Sequence, residues 1–305
     1  MMWPFSKGRK GKEKFRKEQW GIAVIYPEAE APPLLSIANK AGSNGAIPGY
    51  IVPLDKTPEQ IDLMHARLEH GDFGVVTTDR KTALSIRVAP LDAVAGAAQE
   101  TRDNSPDSSR PVGRRVASIL EQEPVIAALR ISEPGPNPDA ACGLMYRLGD
   151  RIAVQSAGVM RDVGVNRWWD AGEWTQLEER SREHPALLFC TVPILPSESW
   201  PGYWAATFGL YRFGKPELAV LLRDESSKTA AVSFLLGMAS YVIEGQTILP
   251  GQTVGGDEKP LLRAHAATSV PHALRSCEVL ELRPSAAPEG GPPYADEAVR
   301  EIIGP

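Results

Sequence analysis

Residues 206–222 read ATFGLYRFGKPELAVLL, and residues 244–254 read EGQTILPGQTV after one intervening helical pattern. Gly209 to Lys215 matches GxxxxGK, the frame of a phosphate-binding loop. Such a loop needs a strand before it, a helix after it, and a Ser or Thr beside the lysine to hold magnesium. Pro216 follows Lys215, so the hydroxyl is missing, and ELAVLL (217–222) has the character of a strand. The loop interior, Leu-Tyr-Arg-Phe, is bulky and suits packing better than cradling phosphate on backbone N–H groups. Ser226 or Ser227 can cap the next element, a helix with Phe234, Leu235, Met238, Tyr241 and Val242 on one face. The reading is an α+β protein: two mixed units, with antiparallel or mixed sheets and helices packed on one face.

Working outward, residues 20–95 read as a small α+β unit. GIAVIY (21–26), FGVVTT (73–78) and TALSIRV (82–88) are β-rich runs. Thr57-Pro58-Glu59-Gln60 is a helix start, and Ile61, Met64, His65 and Leu68 form one face of the short helix it predicts, with Gly71 as its stop. Residues 96–111 are polar and small, without an apolar period, and read as a surface linker. A larger α+β domain then spans 112–284. It is predicted to hold a helix over 112–123 halted by Pro124, a strand over 126–132, and a hairpin turning at Gly149-Asp150. Asp170 caps a charged helix, with Glu173 completing the box. ALLFCTVP (186–193) suits a buried central strand, and SCEVLELRP (276–284) a late strand. Residues 285–305 are a Pro/Gly-rich tail whose YADEAVREII suggests a short helix.

The 305 residues fit about two domains, and 43% hydrophobic with 23% charged residues is ordinary globular composition. A net charge of −5 gives no footprint for nucleic acid. Cys142, Cys190 and Cys277 have no CxxC spacing, which argues for reduced thiols and a cytoplasmic location. Residues 1–19 form a basic tail in which Met1, Met2, Trp3 and Phe5 precede a lysine-rich run. It has no apolar core of a secretory signal, and the reading is a disordered tail with at most weak membrane-surface contact.

Candidate chemistry is sparse. Asp72-Phe73-Gly74 mimics a kinase magnesium motif, but no HRD loop accompanies it. His65 and His70 lie five apart, off the same-face spacing of helical zinc sites, and His184 stands alone. No GxSxG elbow occurs, and no metal or cofactor is expected. Five of the seven tryptophans, Trp168, Trp169, Trp174, Trp200 and Trp204, fall in one short stretch. Adjacent residues of a strand face opposite ways, so one of Trp168 and Trp169 is expected to reach solvent or a partner, and the pair is the candidate binding site. Trp204 is expected in the core. Glu217, Asp257, His265 and His272 make up the alternative, an enzyme site assembled from scattered residues.

Gly209-Leu210, Phe213-Gly214, Pro216-Glu217-Leu218 and Pro250-Gly251-Gln252-Thr253 together resemble a bacterial family of unassigned activity, Domain of Unknown Function 4261, over residues 202–254. The resemblance implies a soluble α+β protein and brings no catalytic residues. The function expected is a non-enzymatic binding or accessory protein with a protein partner on an aromatic patch. The alternatives are a hydrolase or transferase at the scattered Glu/Asp/His site and, more weakly, an immunity-type protein that neutralises a toxin.

Overall fold

The computed structural model describes residues 21–41, 49–56, 60–62, 65–77, 80–133, 138–181, 184–256, 259–267, 274, 277–287 and 291–303. The chain divides into two compact units, the first ending at Arg180 and the second beginning at Ser181. The class is α+β, with mostly antiparallel sheets.

The described residues of the first unit form a seven-stranded antiparallel sheet. In chain order the elements are β1 (Gly21–Pro27), α1 (Leu34–Ala41), β2 (Gly49–Pro53), β3 (Gly71–Thr77), β4 (Ala83–Pro90), α2 (Ala97–Asp103), α3 (Pro111–Leu120), β5 (Pro124–Glu133), α4 (Pro138–Gln155), β6 (Val159–Asp162), β7 (Arg167–Asp170) and α5 (Glu173–Arg180). The strands lie in the order β2-β3-β4-β5-β1-β6-β7. Residues 96–111 are therefore not a linker between domains. β4 pairs with β5 across them, α2 lies within them, and Thr101 is buried. A polar surface helix tied down by one side of a turn has little apolar period, which is why it reads as a connection.

Alternation along the strands gives the sheet two apolar faces. Ile25, Val159 and Trp168 pack with Val112, Val116 and Ile119 of α3 on one face. The other face meets α4, where Tyr146 touches Trp169. Helices thus flank this sheet on both faces. The hairpin expected at Gly149-Asp150 is instead the middle of α4, which is buried nearly all round from Ala141 to Asp150. A helix covered on every side shows no amphipathic period, and its glycine then mimics a turn. Gly149 is there for contact: a Cβ would collide with Ile22 and approach the Met160 sulfur to 2.9 Å. The helix expected over residues 61–68 is also absent from its described part. Leu68 donates its N–H to Pro32 O at 2.9 Å, Leu34 donates to Ala66 O at 2.9 Å, and Arg67 bridges Pro33. The start motif at Thr57, Pro58 and Glu59, and Met64, lie outside the described residues.

The described residues of the second unit form a six-stranded mixed sheet. Its elements are α6 (Ala186–Phe189), β8 (Ile194–Pro196), β9 (Tyr203–Ala206), β10 (Glu217–Leu222), α7 (Lys228–Ile243), β11 (Thr253–Gly256), β12 (Lys259–Ala266), β13 (Val279–Pro284) and α8 (Asp296–Ile303). The order is β11-β12-β13-β10-β9-β8, and β10 with β13 is the parallel pair. All six residues of β10 are buried. One face carries Trp204, Ala206, Ala219, Leu221 and Val279 under Leu274; α7 packs on β9 and β10, and α8 on α7. The central strand expected over residues 186–193 is not formed. Ala186–Phe189 is a one-turn helix, and only Thr191 beyond it bridges, to Phe208. A four-residue apolar run fits a buried helical turn as well as a strand.

Candidate functional site

The two tryptophans proposed as a binding surface are both interior. Trp168 and Trp169 do splay to opposite faces of β7, but each face is covered by helices. Trp168 is 8% exposed, with its Nε1–H donated to Asn104 O at 2.8 Å and the Arg161 guanidinium 5.3 Å above its ring. Trp169 is fully buried, T-shaped to Tyr146 with centroids 5.9 Å apart, and the Arg167 guanidinium lies 5.0 Å over its ring. Trp174 stacks on Tyr146 at 5.4 Å. The linear cluster divides in space: Trp168, Trp169 and Trp174 belong to the first unit, Trp200 and Trp204 to the second. Trp204 is buried at 3% exposure, as expected.

Beneath that aromatic group lies a buried polar set. Tyr146 donates its hydroxyl to Asp162, whose Oδ1 also accepts the Gly164 N–H at 2.9 Å. Asp150 accepts the Gly172 N–H at 3.0 Å and the Thr175 hydroxyl at 2.6 Å. It, and not Asp170, supplies the carboxylate at the start of α5, reaching there from α4. Glu173 completes its half of the expected box by accepting the Asp170 N–H at 2.9 Å. Burial raises the Asp150 carboxyl above the ordinary range, against the pull of these hydrogen bonds. Burial likewise raises Glu178, which the Arg147 guanidinium 2.7 Å away pulls down.

The alternative enzyme residues do not assemble as a site among the described residues. Glu217 is fully buried. Its Oε1 accepts the N–H groups of Gly209 and Tyr211, each at 2.9 Å, and its Oε2 accepts the Thr207 hydroxyl at 2.6 Å. The loop that resembles a phosphate cradle is filled by the chain's own carboxyl, Glu217. Burial raises this carboxyl too, while the hydroxyl and amides oppose the shift. His265 pairs with Glu281 on β13, and Glu217 pairs with Val279 on that same strand. The two are therefore two strand spacings apart across the sheet, about 10 Å, and about 7 Å apart along it. Asp257 and His272 lie outside the described residues. Among the described residues, no three His, Cys, Asp or Glu side chains converge as a metal set. Cys142 and Cys190 are buried and Cys277 half-buried, all as thiols. No described helix is long and apolar enough to cross a membrane.

A site that sequence reasoning missed lies in the first unit, an open groove of about 510 Å³ beside α3. One wall is Pro111, Arg114, Arg115, Ser118, Ile119 and Gln122, and the other is Pro27, Glu30, Ala157 and Asp170. The α3 positions recur at three- and four-residue intervals, a stripe beside buried Val112 and Val116 that shares Ile119 with them, and Gln122 follows just past the helix end. Arg115 Nε meets Asp170 Oδ1 at 2.8 Å. Arg114 Nη1 donates to Ser109 O at 2.8 Å and Ser108 O at 3.4 Å. Ala157 closes the end of α4 in the left-handed region, φ 50°, a conformation that costs a non-glycine residue about 1–2 kcal/mol. The signal for α3's wall was present in the sequence as a polar stripe. The facing wall comes from three separate segments that only the fold brings together.

No family model, curated protein or solved structure matches the chain.

Proposed function

We propose that this protein is a non-enzymatic binding protein whose ligand seats in the groove beside α3. The observation that carries this reading is the polar stripe of Arg114, Arg115, Ser118 and Gln122 lining an open groove of about 510 Å³. By contrast, the raised carboxyls of Asp150, Glu178 and Glu217 are turned inward onto partners within the fold. A group so committed holds an element in place; a general acid or base must reach a substrate. The likeness of residues 202–254 to the Domain of Unknown Function 4261 family belongs to the same proposal. It is supported by Gly209 to Leu218 forming one connected turn around Glu217, while Pro250 to Thr253 form a separate turn held to Ala264 of β12, and that family carries no assigned activity to set against a binding role.

The test is a fragment screen by thermal shift on the full chain and on Ser118→Trp, which fills the groove from an exposed position. Compounds that stabilise the wild-type chain and lose their effect on the variant are the expected result. A screen whose every hit stabilises Ser118→Trp equally, or that yields no hit, overturns the assignment.

A further inference from the structure

We infer that the α3 groove takes a short extended peptide bearing one acidic and one basic group, an inference that rests on the binding role proposed above. Four charged side chains line the groove, and they are not equivalent. Arg115 and Asp170 neutralise each other across 2.8 Å. Arg114 is steadied only by the main-chain oxygens of Ser108 and Ser109, which fix its position without cancelling its charge. Glu30, on the facing wall, pairs with no cation among the described residues. The groove therefore presents one uncompensated positive charge and one uncompensated negative charge on opposite walls. A ligand that complements both carries both signs. A polyanion gains nothing from a groove of balanced charge, because its binding depends on several cations displacing its counterions.

The groove's length selects a chain molecule. Pro111 to Ile119 rises about 12 Å along α3, the reach of about four extended residues, and Gln122 lies beyond. Ser118 offers a hydroxyl that both donates and accepts. Gln122 donates its amide N–H to Ser118 O at 3.0 Å, which leaves its carbonyl oxygen to accept. Such pairs suit a peptide main chain, which alternates donors and acceptors. The guanidinium of Arg114 offers a carboxylate the two-pronged match that an ammonium would not.

The experiment is fluorescence polarisation on the full chain with four labelled pentapeptides of Gly, Ala and Ser, blocked at both ends. One carries Glu near one end and Lys near the other, one Glu alone, one Lys alone, and one no charge. The doubly charged peptide is expected to bind about tenfold more tightly than either singly charged one, a margin that shrinks as salt screens it. Arg114→Ala should reduce it to the level of the Lys-only peptide, and Glu30→Ala to that of the Glu-only peptide. Both side chains are exposed, so melting curves should show both variants folded. Equal binding of all four peptides, or full affinity of the Glu-only peptide with no effect of Glu30→Ala, overturns the charge inference. The binding role survives that outcome if Ser118→Trp still removes the signal. Binding of none of the four peptides overturns the peptide inference, and the fragment screen then decides the binding role independently.

Discussion

At the scale of the residue, Glu217 shows how a catalytic-looking side chain serves the fold. Three donors, the Thr207 hydroxyl and the Gly209 and Tyr211 amides, converge on its carboxyl, and Gly209 itself abuts the Phe189 carbonyl so closely that a Cβ there would strike it. Glu217→Ala leaves three buried donors unsatisfied and is expected to cost about 3–5 kcal/mol in urea unfolding. Glu217→Gln keeps the group's size and the oxygen that both amides use, so its cost should stay near about 1 kcal/mol. A cheap alanine variant would mean the turn holds its shape without the carboxylate. The residue was visible in the sequence as a glutamate after Gly-Lys-Pro. Its partners were not, because the amides of a turn have no side-chain signature.

At the scale of the element, the strands were legible from short β-rich runs: β3, β4, β5 and β13 from polar and apolar residues interleaved, β1 and β10 from unbroken apolar stretches. α3 was legible from Pro124 beyond it, although the helix begins one residue earlier than expected, with Pro111 in its first turn. α4 was not, since burial on every side erased its period and Gly149-Asp150 carried the residues of a turn. Both residues answer to neighbours instead, Gly149 to Ile22 and Met160, Asp150 to the start of α5. The docking of α5 on α4 should therefore respond to pH. Asp150 and Glu178 have folded values raised above their unfolded ones. Their contribution is present below the ordinary carboxylate range, near 4, and is lost as pH rises through the folded values. Asp150→Asn resembles the protonated acid. Urea melts across this window should show the variant close to wild type in acid and gaining on it as pH rises. A wild-type chain that gains on the variant instead would reverse the sign and sink the argument. The groove was half legible for a similar reason: one wall is a stripe on a single helix, while Pro27, Glu30, Ala157 and Asp170 are neighbours only once the sheet exists.

At the scale of the whole molecule, the boundary at Arg180–Ser181 replaces the one that composition suggested. A chain truncated after Arg180 retains all seven strands of the first sheet and should be soluble, with a cooperative thermal transition. A chain ending at residue 96 lacks β5, β6 and β7 and should not fold, because β1 and β4 both lose their partner in β5. Cooperative melting of the shorter fragment would restore the earlier boundary. The position of β1 has a further consequence, for how the protein is made. Translated before the rest of its sheet, β1 is nonetheless an inner strand, seated between β5 and β6, whose partner residues lie at 124–130 and 159–162. At about 5–20 residues per second, the ribosome takes roughly 7–27 s to deliver them all. For that interval a nascent chain carries Ile22, Val24 and Ile25 on a strand with both hydrogen-bonding edges open, which makes it a natural client for a chaperone at the exit tunnel.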